Sequence, residues 1–327
     1  MLFRSETKAD QIKGAIVVYN VAMPAWSADK GSGYGATVAY RFAGASQAAK
    51  RGAVAALVRS VTAKSLSTPH TGSMGYEKDT PKIPTASISV EDAELLDRLS
   101  ATSRVTVRLR LEPQQLPDVE SANVIGELRG SEKPDEIVVI GGHIDSWDVG
   151  QGAMDDAGGS VAAWEAVRLM RRLGLRPRRT VRVVLWTNEE NGVDGGKAYR
   201  DRHAGELDRH VMAMESDGGV FQPTGFAFAG SDSATALVRQ AASLLESIGA
   251  TAVERVSQSP DADIGPLVEQ GVPGIGLKVD GTRYFWYHHS QGDTLDKLDP
   301  AEVARCVAAM AVMAYLIADL PERLPRS

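Results

Sequence analysis

The stretch GGHIDSWDVGQGAMDDAGG, Gly141–Gly159, follows the apolar run EIVVI and sets His143, Asp145, Asp148, Asp155 and Asp156 among glycines. Three other segments carry the same residue types just past apolar runs. Glu189 and Glu190 follow VRVVLW, Glu215 and Asp217 end HVMAM, and His288 and His289 follow YFWY. Singly, each has an ordinary reading. A histidine after a strand is usually a loop or core residue, and Asp156 before Ala-Gly-Gly suits a helix N-cap. Glu-Glu after a strand is ordinarily solvated, and His-His in an aromatic run can simply pack. Together, imidazoles and carboxylates at four strand ends point to divalent cations held by nitrogen and oxygen.

Two cations ~3.5–4 Å apart need a bridging carboxylate and a bridging water. Asp155 suits the bridge, because nearby glycines admit close backbone approach and the following helix N-terminus tolerates negative charge. Asp145, two residues past His143, can accept the second ring proton of that histidine and orient it. Adjacent Glu189 and Glu190 cannot both face one ion from a regular strand. One would bind metal while its neighbour takes a proton from water.

The elements that must position these residues begin after EPQQLPDVES. Strands ANVIGEL, EIVVIGG, TVRVVLWT, HVMAMES and GIGLKV alternate with helices AGGSVAAWEAVRLMRRL, GGKAYRDRH, SDSATALVRQAASLLESI and a last helix ending AYLIADL. This alternation predicts an α/β domain over residues 116–327, with a mostly parallel central sheet and helices on both faces. In such sheets ligands bind beyond the carboxyl ends of the strands. Residues 1–115 read as a small separate module. KGAIVVYN is a strand, AGASQAAKRGAVAALVRSV a helix entering a second strand, and IPTASISVEDAELLDRLS a strand and a helix capped near Ser89. VTVRLRLEP alternates with period two and is expected as a closing strand. No catalytic cluster lies here, and His70 in STPHTGSMG reads as a loop residue.

Composition bounds the function. The 327 residues carry a net charge of -6, which leaves no electrostatic footprint for nucleic acid. Arg171–Arg179, RRLGLRPRR, reads as a solvated helix end and turn. The lone Cys306 excludes an internal disulfide, and its apolar helix suits a buried, inert thiol. Glu302, Arg305 and Asp319 interrupt that helix, leaving its apolar run too short for a bilayer, so no membrane partner is expected. The opening MLFRSETKADQIKG has no apolar core and so no signal peptide. Taken as it stands, this indicates a cytoplasmic protein.

With these residues in hand, the sequence resembles the co-catalytic di-zinc aminopeptidase and carboxypeptidase family. The resemblance rests on GGHIDSWDVGQGAMDDAGG, TNEENGVDGGKAY, AMESDGG and YFWYHHSQGDT and runs from about Ser121 onward. The leading module resembles the β-rich protease-associated domain through GAVAALVRSV and IPTASISVEDAELL, non-catalytic in the family. The resemblance implies a zinc exopeptidase-like fold and two zinc ions, with cobalt or manganese fitting similar ligands. His143 and Asp217 would hold one ion, Glu190 and His289 the other, and Asp155 would bridge. Glu189 would be the general base and Asp145 the orienter of His143, and the Asp155–Asp156 peptide would be cis. His289 is chosen because it begins the family's H-S-x-x-D-T pattern, and His288 would then face the developing oxyanion. Asp217 is preferred to Glu215 because family members have aspartate there.

The activity so implied is hydrolysis of dipeptides or short peptides by a metal-activated water. Glu189 would take its proton and pass it to the leaving amine. An aminopeptidase on longer peptides and a receptor-like member without catalysis stay open as alternatives. Arg283 is a candidate to recognise a terminal group of the substrate, and a homodimer is expected by resemblance alone. Relatives carry a stretch of peptidase domain, and often a secretion signal, ahead of the leading module. Here that module begins almost at Met1, as expected of a shortened N-terminus, and the compartment stays open between cytoplasm and export.

Overall fold

The computed structural model describes residues 11–64 and 66–326, so most of the opening stretch MLFRSETKADQIKG lies outside it. The chain divides into two units. One takes residues 1–119, 147–150 and 281–293, and the other takes 120–146, 151–280 and 294–327.

The first unit builds β1 (Ile16–Tyr19), α1 (Tyr34–Phe42), α2 (Gly44–Ala49), β2 (Ala55–Arg59), β3 (Thr85–Ile88) and α3 (Val90–Thr102). Its three strands are parallel in the order β1-β2-β3. Val17 and Tyr19 from β1 and Ala56 and Val58 from β2 meet Ala48 of α2 in a buried cluster with Ile12 and Ala53. α3 starts where the sequence signals it, with the Ser89 hydroxyl accepting the Asp92 amide at 3.0 Å. The segment VTVRLRLEP does not become a strand. Val105, Val107 and Leu109 are half-buried and alternate with exposed neighbours, so the period-two pattern is there. A strand also needs a ladder partner, and none is formed among the described residues.

The second unit builds β4 (Val124–Leu128), β5 (Lys133–His143), α4 (Gly158–Arg172), β6 (Arg179–Trp186), α5 (Asp194–Arg202) and β7 (His210–Glu215). It continues with β8 (Pro223–Ala229), α6 (Asp232–Ser243), β9 (Ala252–Arg255), α7 (Gly265–Val268) and β10 (Gly274–Val279). The short α8 (Tyr284–Tyr287) returns to the first unit, and α9 (Pro300–Asp319) ends the second. The sheet runs β4-β6-β5-β7-β10-β8-β9.

This sheet is mixed, which corrects the mostly parallel expectation. β6, β5, β7 and β10 run together, while β4, β8 and β9 run against them. The reason is connection length. A parallel return needs a crossover of about a dozen residues or more. Only Arg129–Glu132 joins β4 to β5, and only Ser216–Gln222 joins β7 to β8, so the direction reverses at both. β8 and β9, in PTGFAFA and AVER, were not expected from sequence.

Alternation along β5 serves two layers. Ile137 and Val139 pack with Tyr199 of α5, with Ile264 at the start of α7 and with Leu267 within it. α4 and α9 pack on each other and on the same strands. Against the expectation of an apolar run too short for a bilayer, α9 is long and apolar enough to cross one by length and composition. Here it buries Cys306, Ala309, Met310, Met313, Ala314 and Ile317. The Cys306 thiol, pushed up to about 12 mainly by burial, points at the Phe221 carbonyl at 3.1 Å, an inert setting as expected.

Candidate metal centre

β6, β5 and β7 are neighbours whose carboxyl ends lie level. His143 pairs in register with Trp186, and Gly141 with Glu215. The chain leaves β5 for β6 on one side and then crosses back to β7 on the other, so the crevice opens beyond β5. His143 ends β5, Glu189 and Glu190 follow β6, and Asp217 follows β7, so their convergence is a consequence of topology.

His143 is fully buried. Its Nδ1–H donates to the backbone carbonyl of Asp145 at 2.9 Å, which leaves the lone pair on Nε2. That nitrogen stands 3.2 Å from Asp155 Oδ1 and 3.3 Å from Asp217 Oδ1. Ligand atoms of His143, Asp155 and Glu190 also lie within 4.8 Å of one another, as do those of His143, Asp156 and Asp217. A lone pair and two carboxylate oxygens facing one point could hold a cation between them. The spacing suits zinc, since ligands ~2.0–2.1 Å from a tetrahedral ion are about 3.3 Å apart.

Electrostatics agree. Burial opposes charge on His143, yet Asp145, Asp155 and Asp217 raise its proton affinity far above that of an ordinary imidazole. Asp217 is raised by burial and by Asp155 and Glu190, against the pull of His143. Glu189 is pushed up to about 8 by burial and then by Asp217. So many carboxyl groups shifted upward in one place mark a site short of positive charge.

Two neighbours are scaffolding. The Asp155–Asp156 peptide is cis, as the resemblance implied. Asp156 Oδ2 accepts the His143 amide and Oδ1 the Gly159 amide, both at 3.1 Å. A Cβ on Gly142 would stand 2.4 Å from Asp156 Oδ2, and one on Gly159 1.9 Å from the Ser216 carbonyl, which answers why glycines surround these acids. Asp145 orients His143 through its carbonyl, with its carboxylate 3.7 Å from the same nitrogen. That carboxylate instead accepts the amides of Glu189 and Glu190.

Between the two acids at the end of β7, Asp217 faces His143. Glu215 Oε2 instead accepts the amides of Asp263 and Ile264 at 3.0 and 3.2 Å. Asp261 and Asp263, which sequence reading passed over, lie near Glu215. Asp263 is pushed up to about 11, chiefly by burial and by that neighbour's charge. Two acids in a Pro-led loop, PDADIGPL, were the available signal. Asp148 is exposed and belongs to the first unit, as do His288 and His289. Those two imidazoles stack at 3.6 Å with 16° between planes, and His289 takes a left-handed φ of 57°.

Fold and site together define a class, an α/β protein whose parallel strand ends hold a candidate centre of imidazole and carboxylate ligands. The chain belongs to peptidase family M28, which matches residues 123–314. Within it, the motifs point to plasma glutamate carboxypeptidase, also called carboxypeptidase Q, and the relatives agree. The chain is 43% identical to carboxypeptidase Q of Mus musculus, over 98% of its own length and 67% of that protein's, so it spans about two thirds of this relative. It superposes on the crystal structure of a peptidase M28 precursor from Shewanella amazonensis SB2B with a TM-score of 0.94 and 36% identity, covering 99% of this chain and 74% of that one. A zinc aminopeptidase from Bacillus subtilis shares the fold at 19% identity and TM-score 0.64, over 99% of this chain and 76% of that one.

Proposed function

We propose that the protein is a metal-dependent exopeptidase that hydrolyses dipeptides or short peptides, with two zinc ions as its cofactors. The observation that carries this is the meeting of His143 Nε2 with carboxylate oxygens of Asp155 and Asp217 at 3.2 and 3.3 Å, beside a half-buried Glu189. His143 and Asp217 would hold one ion and Glu190 the other, with Asp155 within reach of both sets. His289 completes the second set, an assignment that rests on its place at the head of HSQGDT. When bound, zinc supplies a Lewis acid that polarises a peptide carbonyl and makes water more acidic.

This chain's own groups do the proton work. Glu189 stands next to a ligand without being one, so it can take a proton from the attacking water and return it to the leaving amine. Asp145 holds the Glu189–Glu190 backbone and fixes the His143 tautomer. His288 faces the developing oxyanion. The leading module is of the protease-associated type, and the protein works as a homodimer. Carboxypeptidase Q as a relative favours substrates with an unblocked carboxylate.

Purified protein is expected to bind two zinc ions per chain and to cleave unblocked dipeptides faster than blocked ones. Glu189→Gln should keep both ions and lose at least about a hundredfold in kcat. Metal-free protein with full hydrolysis would refute the proposal.

A further inference from the structure

Arg41 is a buried charge to which the chemistry above gives no task. It lies in α1, is 7% exposed, and among the described residues pairs with no carboxylate. A buried guanidinium is costly unless its donors are used. Nη1 donates to the Thr71 carbonyl at 3.1 Å, and Nη2 donates to the Tyr34 hydroxyl at 2.6 Å. Gly72 closes the cradle. A Cβ there would stand 2.3 Å from Arg41 Cζ, and its φ of 143° is glycine's territory.

The carbonyl that Arg41 holds has a second donor, His289 Nδ1 at 3.2 Å. The Thr71 amide in turn donates to the His289 carbonyl at 2.9 Å, so Thr71 clamps His289 at ring and backbone. A carbonyl only accepts, which places the proton on Nδ1 and the lone pair on Nε2. Arg41 Nη1 also lies 3.5 Å from the same ring nitrogen, where it could donate only to an unprotonated Nδ1, and its shorter bond, 3.1 Å, goes to the Thr71 carbonyl. Tyr34, held by the same guanidinium, meets His288 edge-on at 5.3 Å, and His288 stacks on His289.

We infer that Arg41 is a positioning residue, which through the Thr71 carbonyl fixes the His289 tautomer that can bind metal. This rests on the reading of His289 as a zinc ligand. The geometry involved, the guanidinium, the shared carbonyl and the two imidazoles, lies wholly within one unit.

The test uses full-length Arg41→Met, Arg41→Lys, Gly72→Ala and His289→Ala. Zinc affinity is read by competition with a chromophoric chelator, and the His289 tautomer by nitrogen NMR of histidine-labelled, metal-free protein. Arg41→Met and Gly72→Ala should each weaken the second zinc by about 10–100-fold, the usual effect of losing a group that orients a ligand. The double variant should be no worse than the weaker single one, because both remove the same contact. Arg41→Lys should recover part of the loss, since an ammonium can still donate to the carbonyl. Wild type should show one Nδ1–H tautomer and Arg41→Met a mixture. Wild-type zinc affinity and a single tautomer in Arg41→Met would overturn the inference. Should that variant not fold, Arg41→Lys and Gly72→Ala decide by the same two readouts. Normal zinc binding by His289→Ala would instead remove His289 from the ligand set, with the tautomer measurement still judging Arg41.

Discussion

Asp145 Oδ1 accepts the backbone amide of Glu189 at 3.1 Å, across a sequence separation of 44 residues. With Oδ2 on the Glu190 amide at 3.3 Å, one carboxylate sets the backbone from which both glutamates project. His143, bonded to the carbonyl of the same residue, is tied to that arrangement. Asp145→Asn would turn an NH2 group towards one of the two amides. Zinc affinity is expected to fall by about 10–100-fold, measured by chelator competition. Unchanged affinity would mean that the glutamate loop stands by itself.

Gly142 lies where β5 meets Asp156. A methyl there would sit 2.4 Å from Asp156 Oδ2 and 2.5 Å from the Ser160 amide, with backbone on one side unable to yield cheaply. Gly142→Ala should therefore cost ~3 kcal/mol or more of unfolding free energy. Denaturant melts would show it, and a loss within the error of the melt would contradict the packing described.

The stability of the metal-free protein should fall as pH rises. Burial and then the charge of Asp217 push Glu215 up to about 7 and Glu189 up to about 8. Groups raised in this way stabilise the fold below their unfolded pKa, about 4.3, and lose that contribution as pH passes the folded value. Zinc binds the carboxylate forms and releases protons, which opposes the trend. The melting temperature of chelator-treated protein should drop between pH 5 and 8, while that of zinc-loaded protein stays flatter. Equal slopes would argue against a cation at this site.

His210 titrates with the opposite sign. It is buried at the start of β7, donating from Nδ1 to the Glu206 carbonyl and accepting the Tyr199 hydroxyl at 2.8 Å. Burial pushes its pKa down to about 4. The neutral ring thus stabilises the fold above about pH 6.5, and this is lost as pH falls towards 4, at most on the order of 3 kcal/mol. His210→Gln should be less stable than wild type at pH 7, with the gap closing towards pH 4. A gap independent of pH would show that the ring contributes packing alone.

Much of the site was legible because the relevant signals are local. His143 ends and Glu189 and Glu190 follow strands with largely apolar, buried runs, which read as such without knowledge of their neighbours. Asp155 and its surrounding glycines likewise form one contiguous pattern. The strands β8 and β9 were not legible. PTGFAFA carries a proline and a glycine, AVER is four residues long, and both exist by pairing with each other or with β10. VTVRLRLEP fails in the opposite way, with the period of a strand and no ladder formed among the described residues.

The amino-acid sequence alone determined which residue types stand at the ends of which apolar runs, and hence the chemistry that they can perform. Tertiary structure decided the rest: the mixed direction of the sheet, the use of Asp145 through its carbonyl, and the burial of Arg41 against Thr71 and His289. Periodicity and composition act over a few residues and can be read along the chain. Ladder pairing, hydrogen bonds across dozens of residues and the fate of a buried charge depend on partners that only the folded chain brings together.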